Sequence, residues 1–247
     1  MISRFAERTE HWWRTRKARD RWLFIHIPKT AGTSFRRLLT ESVGDRIFPS
    51  DAELTDNEGR YFPPHRLAPA YETNEFGLRQ RLVICGHFPF GLAEALPGHT
   101  RTVVFFREPR ARALSHIAHR LRNGTRRRQP TLEQILDRPT FTTDLQTRSL
   151  LSVHAKKEVP TVDEDAFGQA LSNLDRLDVI GLTEDFEAGV SAFESASGIQ
   201  LVRFAERANV GSQLELTPAQ TARVESLIQY DLRLYDAILE RAARTRP

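Results

Sequence analysis

Short apolar runs alternate with amphipathic stretches along this chain. Trp22 to Ile27 reads as a buried strand, and Phe35, Leu38 and Leu39 recur after it at helical spacing, with Arg36 and Arg37 on the opposite face. Leu82-Val83-Ile84-Cys85 and Val103-Val104-Phe105-Phe106 are continuous apolar runs, the pattern of strands buried on both faces. Pro109 marks the start of a helix, since proline suits the first helical position. Thr131 to Asp137 and Asp144 to His154 read as short helices, and Asp163 to Leu174 as a longer one. Leu177 to Leu182 is another buried strand, followed by an amphipathic helix from Glu184 to Ser197 that Gly198 ends. Thr217-Pro218 pairs an N-cap with a first-turn proline, and one helix is expected from there to about Ala243. Strands alternating with helices predict an α/β fold around a mostly parallel sheet. Residues 45–80 hold Pro49, Pro63, Pro64 and Pro69 with weak periodicity, and read as an irregular insertion. With no internal repeat and no long linker, residues 1–247 are expected to form a single domain, led by a basic-aromatic segment at 1–21.

The punctuation after the first strand carries chemistry. His26-Ile27-Pro28-Lys29-Thr30-Ala31-Gly32-Thr33-Ser34 is a tight loop of small and hydroxyl residues that runs into a helix. The first N–H groups of that helix lack internal partners and sit at the positive end of its dipole. Gly32 admits a ligand close to the backbone, Thr30, Thr33 and Ser34 offer hydroxyl donors, and Lys29 adds a mobile charge. Such a loop suits phosphate or sulfate. It is not a Walker A sequence, because Lys29 precedes the single Gly32, and no apolar strand ends in the aspartate that would hold magnesium. A second anion site is expected where the Val103–Phe106 run ends in Arg107-Glu108-Pro109. Arg107 stands at a strand's carboxyl end, where open α/β sheets bind ligands, and Ser115 follows two helical turns later. Two cradles on separate strands imply a ligand with two separated anionic groups.

These motifs, in this order, resemble the carbohydrate sulfotransferases that use 3′-phosphoadenosine 5′-phosphosulfate, in the branch that includes heparan sulfate 2-O-sulfotransferases and bacterial relatives. The 26–34 loop looks like that family's 5′-phosphosulfate loop. Phe106-Arg107-Glu108-Pro109 through Ser115 looks like its 3′-phosphate motif. Leu145-Gln146-Thr147-Arg148, Asp178 to Phe186 and Tyr230-Asp231-Leu232-Arg233-Leu234-Tyr235 resemble later segments of the family. The resemblance implies a three-layer α/β sandwich with a P-loop nucleotide-kinase-like sulfotransferase fold. It also implies that 3′-phosphoadenosine 5′-phosphosulfate is the co-substrate, and that sulfuryl transfer to a hydroxyl, on a glycan or glycolipid, needs no metal. Lys29 would stabilise the leaving phosphate, and Thr30, Ala31, Gly32, Thr33 and Ser34 would hold the 5′ end. Arg107 and Ser115 would hold the 3′-phosphate. A family His-Gly-His segment aligns with Cys85-Gly86-His87, which makes His87 the general base and leaves Cys85 in place of the first histidine. Imidazole titrates near neutrality, as a base there should. The segment Val202 to Gly211 sits where the resembling family often places a loop that covers the donor.

Other residues invite other readings. His26, between Ile25 and Ile27, is expected to be a packed or hydrogen-bonded core residue. His116 and His119 lie one helical turn apart without an evident third metal ligand. Glu184 or Asp185 is an alternative carboxylate base, though a charge at a helix N-terminus explains both. A small-molecule or nucleotide kinase, and a non-catalytic polyanion-binding module, are the competing functions.

Composition narrows the setting. Across 247 residues there is one cysteine, so no internal disulfide can form, and the net charge is +4. The charge is unevenly spread. His11 to Trp22 interleaves arginine, lysine and tryptophan, which suits contact with an anionic membrane or acidic glycan, or a leading helix packed on the domain. Arg120 to Arg128 holds five arginines in nine residues, a loop suited to an acidic acceptor, to covering the donor, or simply to solvent. No nucleic-acid-binding module accompanies these charges. No stretch approaches the roughly 20 apolar residues of a membrane span, and no signal-peptide pattern opens the chain. Family members in eukaryotes carry an anchoring helix in the Golgi, so a cytoplasmic, bacterial-type enzyme is expected. The sequence leaves the acceptor and the oligomeric state open.

Overall fold

The computed structural model describes residues 20–49, 64–96, 98–122, 130–137, 143–151, 161–203 and 214–245. Five strands form one sheet: β1 (Arg21–Ile25), β2 (Ile47–Phe48), β3 (Val83–Gly86), β4 (Thr100–Phe106) and β5 (Val179–Leu182). Their order is β2-β3-β1-β4-β5, and every pair is parallel. Parallel strands need crossovers, which helices supply here. In chain order the helices are α1 (Gly32–Val43), α2 (Pro64–Glu72), α3 (Gly91–Ala95), α4 (Pro109–Arg122), α5 (Leu132–Leu136), α6 (Leu145–Ser149) and α7 (Glu164–Leu174), which lie between strands, and α8 (Phe186–Ser197), α9 (Pro218–Ser226) and α10 (Gln229–Thr245), which follow β5.

Side chains alternate across a strand, so the continuous apolar runs feed two cores. Phe24 pairs with Cys85 on one side and Val103 on the other. These three share a face with Trp22, Phe105 and Val179, covered by Phe35, Leu38 and Leu39 of α1 and Val190 and Phe193 of α8. The opposite face presents Leu23, Ile25, Ile84, Val104 and Phe106 to Leu67 of α2, Leu92 of α3, Phe167 of α7 and Leu234 and Ile238 of α10. Helices on both faces make the sheet the middle of three layers. Phe35 is fully buried, with ring centroids 4.9 Å from Phe24 and 4.7 Å from Phe105. Burying it contributes roughly 1.5–3 kcal/mol. Because Phe35 lies in the first turn of α1, that contact also fixes where the loop before α1 sits.

Two elements differ from the sequence pattern. The 45–80 stretch is less irregular than its prolines imply, since it supplies edge strand β2, helix α2 with Pro69 inside it, and a 3₁₀ segment at Glu75–Gln80. The helix expected from Pro218 to Ala243 is two helices, α9 and α10, parted at Leu227 and Ile228. A tertiary contact makes that break: the Leu227 carbonyl accepts from the Asp144 N–H at 2.9 Å, and Asp144 Oδ1 accepts from the N–H groups of Tyr230 and Asp231. The helix expected at 144–154 is shorter: it runs over Leu145–Ser149 and is closed by Leu150, while residues 152–154 lie outside the described residues. Among the described residues, no helix is long and apolar enough to cross a membrane.

Candidate active site

Because the sheet is parallel, the residues after β1, β3 and β4 all emerge at its carboxyl edge. Helix α1 covers one face and α3, after β3, packs on the other, so the chain diverges around β1. That divergence opens a crevice in which α/β sheets hold ligands. Lys29, His87 and Arg107 lie at the ends of these three adjacent strands.

The loop after β1 is shaped for an anion. Lys29 and Ala31 have left-handed backbones, at φ 73° and 59°. Alternating left- and right-handed residues turn successive N–H groups toward one concave point. The first bond of α1 runs from the Phe35 N–H to the Ala31 carbonyl at 3.1 Å, so the N–H groups of Gly32, Thr33 and Ser34 precede the helical ladder. Thr30 serves differently from Thr33 and Ser34. Its hydroxyl is buried and donates to the Ile27 carbonyl at 2.9 Å, so its single proton holds the loop and leaves only its backbone for a ligand.

Two histidines form the wall beside this loop. The His26 ring stacks on Phe24 at 5.5 Å and lies over Gly32, where a Cβ would come within 1.9 Å of His26 Cδ2. Gly32 is required here by close approach. Burial, then the charges of His87, Arg36 and Lys29, push the His26 pKa down to about 3, which keeps the ring neutral. The His26 N–H donates to the Gly86 carbonyl at 2.8 Å, tying the ends of β1 and β3 together. His87 is exposed, and its Nδ1 lies 2.6 Å from the His26 carbonyl. A carbonyl only accepts, so Nδ1 carries the proton, and in the neutral ring Nε2 is left with a free lone pair. Cys85 faces the core instead of the site, and burial raises its thiol to about 11.

Arg107 follows the last residue of β4. Its Nη1 donates to the Lys29 carbonyl at 3.3 Å, which joins the β4 exit to the β1 loop. Its N–H donates to Gln146 Oε1, and its carbonyl accepts from Gln146 Nε2, both at 3.0 Å. The next N–H, of Glu108, donates to Glu184 Oε1 at 2.9 Å, while the Tyr235 hydroxyl donates to Glu184 Oε2 at 3.2 Å. Both oxygens of Glu184 are therefore committed to structure. Glu108 turns back to accept from the N–H groups of Arg110 and Ala111, capping α4. Ser115 lies half-buried at the end of the second turn of α4.

Positive charge accumulates around Lys29. Its pKa is lowered by burial first, then by the charges of Arg122 and Arg107. Burial also pulls His116 down to about 4, assisted by Arg112, Arg120, His119 and Lys29, and lowers His119 with help from Lys29. Cations that raise one another's energy in this way would be relieved by a bound anion.

Beneath the site, Asp231 and Arg112 are wholly buried 3.9 Å apart. Asp231 accepts from the N–H groups of Gln146 and Thr147 and from the Thr147 hydroxyl at 2.9 Å. Burial, then the charge of Asp231, raises Asp144 to about 6.

The sequence reading singled out Lys29, His87 and Arg107, and the structure brings all three to one edge. It assigned no role to Gln146, Asp144, Asp231 or Arg112. The only local signal is a glutamine in the short Leu145–Ser149 helix, within a segment quoted for its family resemblance. The leading segment up to residue 19, positions 123–128 of the arginine-rich loop and positions 204–211 of the donor-covering segment lie outside the described residues. No protein-family model and no curated protein matches the sequence.

Proposed function

We propose that this protein is a sulfotransferase with a P-loop-like fold that moves the sulfuryl group of 3′-phosphoadenosine 5′-phosphosulfate to a hydroxyl, most simply one on a glycan or glycolipid. The observation that carries this reading is the Arg107 guanidinium at the Lys29 carbonyl, 3.3 Å away. It makes the two anion cradles parts of one site, as a nucleotide with separated 5′ and 3′ anionic groups requires. The residues present fit such a ligand: a left-handed loop with free N–H groups, a lysine and an arginine that repel each other, and the half-buried Ser115 on α4.

In the proposed reaction the acceptor oxygen attacks sulfur while its proton passes to His87 Nε2. The new O–S bond forms as the S–O bond to the 5′-phosphate breaks. Adenosine 3′,5′-bisphosphate leaves with its charge held by Lys29 and the N–H groups of Gly32 to Ser34. Such preorganised donors act where charge develops, and a positioned base removes the proton that would otherwise halt transfer. The His26 carbonyl supplies the orientation by holding Nδ1–H and aiming Nε2 outward.

Calorimetric titration with adenosine 3′,5′-bisphosphate, set against ATP with magnesium, tests the reading. Tight binding of the bisphosphate without metal, lost in Arg107→Ala, supports it and justifies an acceptor screen with labelled donor. Preference for magnesium-ATP overturns it in favour of a kinase, and binding of neither leaves a polyanion module.

A further inference from the structure

The direction in which Arg107 leaves the sheet is not set by the strand ladder. The last ladder-type bond at this end runs from the Thr183 N–H to the Phe106 carbonyl at 2.8 Å, one residue too early. Beyond it, both backbone polar groups of Arg107 are taken by a single side chain, the Gln146 carboxamide, through the two 3.0 Å bonds. Only one orientation of that amide satisfies both, oxygen toward the N–H and nitrogen toward the carbonyl. Gln146 is 1% exposed, so it does not reach a ligand itself. Its own backbone is fixed from beneath, where its N–H donates to Asp231 Oδ2 at 3.2 Å.

We infer that Gln146 is the positioning residue of the second anion cradle. Its carboxamide fixes the Arg107 backbone, so the guanidinium spans to the Lys29 loop and meets the 3′-phosphate of a nucleoside bisphosphate. This inference rests on the proposed reading of the site. The physical reason is that an arginine side chain has several soft torsions. Its forked donors match a phosphate only if the Cα–Cβ direction is set in advance, and preorganisation of this kind lowers the ordering cost of binding. A merely structural glutamine would change stability and leave ligand preference alone.

The test is titration of the full chain with adenosine 3′,5′-bisphosphate and with adenosine 5′-monophosphate, comparing wild type, Gln146→Met, Arg107→Ala and the double variant. Thermal unfolding is measured alongside. In Gln146→Met the affinity for the 5′-monophosphate should hold while the preference for the bisphosphate falls at least roughly tenfold, the effect of a weakened charge-assisted hydrogen bond. Adding Arg107→Ala to Gln146→Met should then lower the preference little further, since coupled residues are not additive. Gln146→Asn, one methylene too short to reach both backbone groups, makes the same comparison if the methionine variant does not fold. A variant that melts earlier yet keeps the wild-type preference overturns the inference and leaves the site reading intact. Wild-type protein that shows no preference for the bisphosphate overturns both.

Discussion

Asp144 and Asp231 cap each other's helices. Asp144, which precedes α6, accepts through Oδ1 from the N–H groups of Tyr230 and Asp231 at 2.9 and 3.0 Å, in the first turn of α10. Asp231, in that turn, accepts from the N–H groups of Gln146 and Thr147 in the first turn of α6. Each carboxylate satisfies donors that the other helix cannot, and each meets the positive end of a dipole. The pair thereby holds α6 in place, and with it Gln146 against Arg107. The proposed anion site is tied in this way to the C-terminal helix α10.

Removing one member should be costly. Asp231→Ala takes one of two nearby carboxylates from the buried Arg112, the other being Asp144, and leaves two helical N–H groups without an acceptor. A loss of about 3–5 kcal/mol is expected, as for a broken buried pair. Denaturant unfolding of the variant measures it, and a loss no larger than that of an exposed aspartate would remove the pair from the scaffold.

Gly32→Ala drives a methyl into the His26 ring, 1.9 Å from Cδ2. Overpacking of this kind costs about 1–3 kcal/mol. Because the His26 carbonyl orients His87, the variant should also lose turnover, and both the melting temperature and kcat are to be followed. Wild-type values for both would show that the ring can move aside freely.

Lys29 and His87 should separate by their effects. Lys29→Ala removes charge stabilisation from the leaving phosphate, and kcat should fall about 10²–10³-fold, as when a preorganised donor is lost. His87→Gln keeps a polar side chain but no base, and kcat should fall roughly 10²–10⁴-fold with adenosine 3′,5′-bisphosphate affinity unchanged. Single-turnover assays with labelled donor read both. Normal turnover in the His87 variant excludes it as the base.

Stability should depend on pH through buried histidines. His116 has its pKa pushed from 6.5 to about 4 in the folded chain. Between those values the unfolded chain binds a proton that the folded chain does not, so stability is full above pH 6.5 and is lost as pH falls toward 4. His26 acts in the same direction, to about 3. Asp144 opposes them: raised from 3.8 to about 6, it keeps its proton in the folded chain, which favours folding as pH falls through that window. Melting temperature should drop between pH 7 and pH 4.5, and His116→Gln should flatten the drop. An identical slope in the variant would show that His116 does not contribute.

The sequence by itself determined four of the sheet's five strands, all but the edge strand β2, together with the loop at 26–34 and the placing of Arg107 and His87 at strand ends. Each of these is written locally, as an apolar run broken by glycine, proline and polar residues. Only the tertiary structure decided that β1 lies between β3 and β4, which brings the three strand ends into one crevice. It also decided that Gln146 grips Arg107 across 39 residues, that Asp144 breaks the last helix from 87 residues away, and that the Thr30 hydroxyl turns inward. Periodicity records which face of an element is buried, because burial repeats with the backbone's own period. A side-chain hydrogen bond has no period. Its partner is set by which crossover lies beside which strand, and that is settled only when the two cores close on the sheet.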